Sequence, residues 1–306
     1  MIHAYAIEPE VVVQWCRSGE SKFIKGEMGL GQPRVLLEIP KLASWKKKIW
    51  ALADTPPMKP MAKKRLENFC KLLKESKKIK RAETVYDSER SWLLNCELEY
   101  ARAQFGAIIA SQNPRQHQAV LLAEKVGEPE NPLWGKPRSV TVLKKGPQIA
   151  EALAPLLENA KEIHLIDPHF DPRKKRFRKV LLCLLEKLSL SKSFTVHMND
   201  KFADAKGYQE RWREHLGEKI SSEITLNFKC WQAPEHSGLL HNRYLLTNLG
   251  VILMGNSLDE KESQNATDDF ALLGKERHSD LWDWFIHQTH KDLKLVAEPA
   301  SITGTR

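Results

Sequence analysis

From residue 147 to residue 290 short apolar runs alternate with amphipathic stretches, and few folds accept that rhythm. PQIAEALAPLLENA (147–160) repeats apolar residues at helical spacing, with Pro147 near the start, where a missing N–H is harmless. EIHLIDPHF (162–170) predicts a strand, RKKRFRKVLLCLLEKL (173–188) a helix and SFTVHM (193–198) a strand. A helix within 204–220 and strands at EITLNFKC (223–230), RYLLTN and VILMG follow. DDFALLG (268–274) gives a last strand and SDLWDWFIHQTH (279–290) a last helix. Strands alternating with helices bury their sheet under the helices, so the expected class is α/β, a mixed β-sheet flanked by helices.

The chain upstream has another texture. IHAYAI, VVVQW and RVLLEI (34–39) are short strand candidates. ASWKKKIWALA then sets Trp45, Ile49 and Leu52 at helical spacing, and MAKKRLENFCKLLKESKKIKR sets Leu66, Phe69, Cys70 and Leu73 on one face. WLLNCELEYARAQFGAII extends a third helix from Ser91 through Ile109. These stretches predict a mainly helical N-terminal domain with a few short strands. GEPENPLWGKPR (127–138) holds three prolines and two glycines and marks the boundary, giving domains 1–138 and 139–306. SVTVLKK (139–145) reads as a short strand or as the end of the linker.

Charge and cysteine usage narrow the function classes. Lys and Arg number 48 against 39 Asp and Glu, a formal charge of +9, which favours a polyanionic partner: nucleic acid first, an anionic membrane surface second. The five cysteines are odd in number and none is in a CxxC pair, which argues against a disulfide framework or a zinc site. No apolar run approaches the roughly 18 residues of a membrane span, and MIHAYAIEPEVVVQW lacks the layout of a secretory signal. The expected location is the cytoplasm.

The chemistry-bearing stretch is HNRYLLTNLGVILMGNSLDE, from His241 to Glu260. His241 and Arg243 are two apart, so in a strand both point to one sheet face. There an imidazole and a guanidinium can converge on one anion, and the planar fork of arginine suits phosphate oxygens. Gly255, Asn256 and Ser257 end the next strand in a turn whose backbone N–H groups can face the same anion. Histidine beside a bound phosphate can act as nucleophile or as acid and base. Arg173, Lys174, Lys175 and Arg176 follow the DPHFDP turn at a helix start, where cations oppose the helix dipole; a phosphate contact is the expected reason. Lys46–Lys48, Lys63–Arg65 and Lys77–Arg81 add basic clusters upstream. Trp282 and Trp284 are expected in the core of the last helix.

The stretch resembles the motif of the phospholipase D superfamily: HxK, four residues, D, six residues, then GSxN. His241 matches the histidine, Arg243 takes the lysine place and Asn248 the aspartate place. Gly255 falls at the required spacing, Asn256 stands where serine is usual, and Leu258 stands where the last asparagine would be. In small nucleases of that superfamily a later acidic residue enters the next strand, a place that Asp268 or Asp269 fills here. KEIHLIDPHFDP resembles the early strand and turn of such domains. The likeness covers roughly 150–290. Leu258-Asp259-Glu260 resembles instead a diverged HxR branch, in which catalysis is thought absent and membrane binding remains.

The resemblance implies a metal-independent and cofactor-independent phosphodiesterase acting on DNA or RNA through a phosphohistidine. A role in bacterial defence follows by analogy with nucleases that carry an added helical domain. It implies a second histidine as acid, supplied by a homodimer or within the chain, where His236 and His169 are nearest. Asn248 cannot carry the charge of an aspartate, and Asp259, Asp268 and Asp269 are candidates to replace it. The alternative is a catalytically impaired module that binds nucleic acid, anionic lipid or a partner protein, the last through residues 1–138.

Overall fold

The computed structural model describes residues 1–20, 26–75, 79–81, 85–171, 173–189, 193–200, 213–296 and 300–306. The chain divides into two compact units, Ile2–Pro137 and Arg138–Arg306, and the division falls inside the proline- and glycine-rich stretch. The first unit contains a five-stranded sheet in the order β3-β2-β1-β4-β5. The strands are β1 (His3–Ile7), β2 (Arg34–Glu38), β3 (Ile79–Arg81), β4 (Ala107–Ala110) and β5 (Val120–Leu122), and every pairing is parallel. Its helices are α1 (Pro9–Ser18), α2 (Leu42–Ala53), α3 (Pro60–Glu75) and α4 (Trp92–Arg102).

Successive β1 residues feed two cores. Tyr5 and Ile7 join Val11, Trp15, Trp45, Ile49, Leu66 and Phe69 on one face. Ala4 and Ala6 join Trp92, Leu93 and Cys96 on the other. Parallel strands buried on both faces read as continuous apolar runs, which is why AIIA resembled a helix end. Two indoles tie helices to strand ends: Trp45 donates to the Ile7 carbonyl (2.8 Å) and Trp92 to that of Ile39 (2.9 Å).

The expectation of a mainly helical first domain is therefore corrected: helices are abundant, but a parallel sheet lies between them. VVVQW is not a strand. Pro9 at the first helical turn starts α1, and burial of Val11, Val12 and Trp15 outweighs the strand preference of valine. The helix expected through Ile109 ends at Arg102, and β4 follows. Of the basic runs, Lys77 and Lys78 lie outside the described residues.

The second unit holds a nine-stranded mixed sheet in the order β13-β9-β8-β7-β10-β11-β12-β6, with β14 also paired to β9. The strands are β6 (Ser139–Leu143), β7 (Ile163–Ile166), β8 (Ser193–Asn199), β9 (Thr225–Gln232), β10 (Arg243–Thr247), β11 (Gly250–Met254), β12 (Thr267–Leu272), β13 (Lys294–Leu295) and β14 (Ala300–Thr303). SVTVLKK thus supplies a strand, not a linker end. Strands β7, β8 and β9 run parallel, and the other pairings are antiparallel. Helices α5 (Gly146–Leu157) and α6 (Lys175–Leu185) pack on each other, and α7 (Lys275–Phe285) packs on β10 and β11. Part of the helix expected in 204–220 falls on 201–212, outside the described residues.

Leu281 and Phe285 of α7 close over Ile166, Tyr244, Leu246, Val251 and Trp231. Trp282 and Trp284, expected in the core, are only half-buried at its edge. Leu165 and Leu245 point the opposite way and are equally buried, so the middle of the sheet is covered on both sides. The β10–β11 hairpin closes on Thr247. Its hydroxyl donates to the Gly250 carbonyl (3.0 Å) and accepts the Leu249 and Gly250 amides (3.1 and 3.2 Å).

Candidate functional site

The register of β7 against β10 builds the site. Ile166 pairs with Tyr244, so the next residue on each strand, Asp167 and Arg243, meet on the face opposite Tyr244. Arg243 Nε lies 4.0 Å from Asp167 Oδ1; Asp167 is fully buried and the Arg243 side chain is 16% exposed. Asp167 Oδ1 also accepts the His169 amide (3.0 Å), and Oδ2 accepts the Leu258 amide (2.8 Å). Burial pushes the Asp167 carboxyl above its ordinary range, while the Leu258 and His169 amides and Arg243 pull back. Arg243 Nε is buried without a hydrogen-bond partner. The guanidinium is held by a charge it faces but does not clasp, which leaves its fork open to an incoming oxyanion.

His241 stands in the turn before β10, exposed, with no ion pair or hydrogen bond among the described residues. The expectation that it opens the strand is corrected by one turn of chain, but it remains at the Arg243 end of β10. Met254 pairs with Arg243, so the Gly255-Asn256-Ser257 turn comes to that same end. The turn is held by Asp268, whose carboxylate accepts the Asn256 amide (3.0 Å) and the Asn256 side-chain NH2 (3.1 Å). A Cβ on Gly255 would meet Asp268 Oδ1 at 2.6 Å, which explains the glycine.

The other sequence candidates are engaged within the chain. Asn248 is at the far end of β10, roughly 16 Å from Arg243 at the rise of a strand. Its Oδ1 accepts the Lys161 and Glu162 amides (2.9 and 3.2 Å), a fastening of the hairpin to the start of β7. Asp269 points away from Asp268 and accepts the Thr141 hydroxyl (2.6 Å). Asp259 is buried among cations: Lys144 at 2.8 Å, Lys261 at 3.1 Å and Arg176 at 3.3 Å. Burial would raise its carboxyl, but Lys144 and Lys261 outweigh that and hold it below the usual range. Asp259, Asp269 and Asn248 thus each have partners within the chain, Asp259 through ion pairs. Asp268 shapes the turn.

The basic run after Phe170 also has partners within the chain. Arg173 forms a two-pronged pair with Asp171 (2.9 and 3.1 Å), Lys174 lies 3.9 Å from the same carboxylate, and Lys179 meets Glu260 (2.7 Å). Lys175 is exposed. These side chains are about half-exposed, so the surface stays cationic. Sequence reasoning missed Asp167, although DPHF was noticed, because its role depends on the 166–244 register. It also missed Lys144, buried between Asp259 and the Ser257 carbonyl (2.7 Å).

Two further histidines occupy the opposite face. Trp231 Nε1 can only donate, so His197 Nδ1 accepts (3.0 Å) and His197 Nε2–H donates to His164 Nδ1 (3.1 Å). Burial holds both neutral: His164 falls to about 4, helped by nearby Lys229, and His197 is likewise held well below its ordinary value. They lie on the Ile166 and Tyr244 side, away from Arg243. No group of three or more His, Cys, Asp or Glu among the described residues could hold a metal ion. No described helix is long and apolar enough to cross a membrane. No family model and no curated protein matches the chain.

Proposed function

We propose that the second unit is a phospholipase D-like phosphodiesterase that takes a nucleic-acid phosphodiester at the Arg243 end of β10 and cleaves it without metal. The observation that carries this reading is the Arg243 guanidinium. It sits opposite a buried carboxylate, its fork makes no hydrogen bond among the described residues, and His241 and the Gly255 turn are at the same strand end. Arg243 neutralises a phosphate oxygen, and the imidazole of His241 attacks phosphorus to give a phosphohistidine that water resolves. The cationic side chains of α6 supply the longer-range attraction for a polyanion. The test is cleavage of plasmid and single-stranded oligonucleotides by the purified protein in chelator. His241→Ala is expected to lower the rate at least 10³-fold while leaving binding; cleavage that persists in it overturns the reading.

A second reading, phosphodiester binding without turnover, is favoured by two particular residues. Asn248 is consumed by backbone amides far from Arg243, and Leu258 contributes only its amide. Salt-dependent binding that Arg243→Ala weakens, with no cleavage by the wild type, would select it.

A further inference from the structure

We infer that His169 is the second imidazole of this site, so that one chain carries both nucleophile and acid; this rests on the phosphodiesterase reading above. Three observations converge. First, the His169 amide and Arg243 Nε lie 3.0 and 4.0 Å from the same oxygen, Asp167 Oδ1, so they are no more than about 7 Å apart. Second, the antiparallel register that pairs Leu165 with Leu245 and Ile166 with Tyr244 brings the Asp167 end of β7 and the Arg243 end of β10 together, and His169 and His241 each stand two residues beyond that end. Third, a turn closed by the Phe170 amide on the Asp167 carbonyl (3.0 Å) places Pro168 and His169 at its corner, and the His169 side chain is exposed there. The nearby Asp167 carboxylate feels that imidazole, which helps to hold it ionised. Two exposed histidines thus stand at the same end of the β7–β10 ladder as one open guanidinium.

Three nearby histidines do not compete. His164 and His197 are on the far face and bonded to each other. His236 sits five residues before His241 in a loop with a left-handed backbone (φ 62°), and among the described residues no interaction ties it to Asp167 or Arg243. A single histidine motif calls for a second copy of the chain only if no other imidazole reaches the phosphate; His169 removes that requirement.

The reaction balances within one chain. The neutral His241 nitrogen forms a bond to phosphorus as the bond to the leaving oxygen breaks, and protonated His169 gives its proton to that oxygen. Neutral His169 then takes a proton from water as the water oxygen bonds to phosphorus and the nitrogen–phosphorus bond breaks. The products are an alcohol and a phosphomonoester, with both imidazoles restored.

The experiment uses the full chain in chelator. His169→Ala and His241→Ala should each lose at least 10²-fold in cleavage while still binding an oligonucleotide, and an equimolar mixture of the two should stay inactive. The loss in His169→Ala should shrink at least tenfold on a nucleotide p-nitrophenyl diester, whose leaving group needs no proton; the loss in His241→Ala should not. Wild-type cleavage by His169→Ala, or activity regained on mixing, overturns the inference and points to a shared site between two copies. If the wild type cleaves nothing, the phosphodiesterase reading fails, and titration with inorganic phosphate followed by histidine NMR decides the juxtaposition. Joint shifts of His169 and His241 that vanish in Arg243→Ala support it, and a shift of His241 alone overturns it.

Discussion

The two sheets solve the same problem differently at their strand ends. In the first unit the order β3-β2-β1-β4-β5 has a switch point between β1 and β4, where parallel α/β sheets ordinarily take ligands. Here the switch is clasped. Glu8 Oε2 accepts both the Ser111 amide (2.7 Å) and its hydroxyl (2.6 Å), and the β1–α1 turn reads Ile7-Glu8-Pro9-Glu10, with no glycine-rich phosphate loop. In the second unit the β7 end is not clasped to β10: Asp167 faces Arg243 at 4.0 Å and spends its oxygens on backbone amides. An acidic clasp turns phosphate away, and an open guanidinium invites it. A topology that offers a crevice does not by itself make a site; the side chains at the strand ends decide.

The sharpest way to break this contrast is to remove the cation. Arg243→Ala should weaken oligonucleotide binding at least 10-fold at low salt, whereas Glu8→Gln should leave binding within twofold; equal losses in a fluorescence-anisotropy titration would abolish the distinction. On stability the largest effect falls in the first unit. Trp45→Ala empties a buried site and loses the tether to Ile7, about 3–5 kcal/mol by chemical denaturation. Gly255→Ala should cost about 1–3 kcal/mol, because the new methyl group must displace the Asp268 carboxylate that shapes the turn.

Acid adds a smaller, graded test on the second unit's far face. His164 is depressed to about 4 from an ordinary 6.5, chiefly by burial, so the unfolded chain binds the proton first as pH falls. Its contribution is therefore present above pH 6.5 and is lost as pH drops towards 4. His164→Gln should flatten that part of the stability–pH curve. The smallest effect is expected at Asn248→Asp. It restores the residue the motif calls for, yet the carboxylate would accept the same two amides, so cleavage and binding should stay within twofold.

What could be read in the sequence was local. The strand–helix alternation after residue 147 is visible because each element carries its own period. The parallel sheet upstream was not, since Val11–Val13 look like a strand until Pro9 and the burial of α1 are known, and β5 is three residues long. His241 and Arg243 stood out by residue type and spacing. Asp167 did not, because only the pairing of β7 with β10 tells which aspartate meets the arginine. The partners of the run from Arg173 to Lys179 were hidden for a related reason: two of them, Asp259 and Glu260, are about 80 residues away in the chain.

Strand β6 stands first in its unit along the chain but at the edge of the sheet, paired with β12 from Thr267↔Leu143 to Ala271↔Ser139. During synthesis it must wait for more than a hundred further residues to emerge before its neighbour exists. Lys144 must likewise wait for Asp259, and the Asn256 turn for Asp268. The surroundings of Arg243 are thus among the last parts of the nascent chain to set, and if this strand end takes a phosphodiester as proposed, a ribosome-stalled product ending before Leu272 should bind an oligonucleotide no better than an unfolded chain.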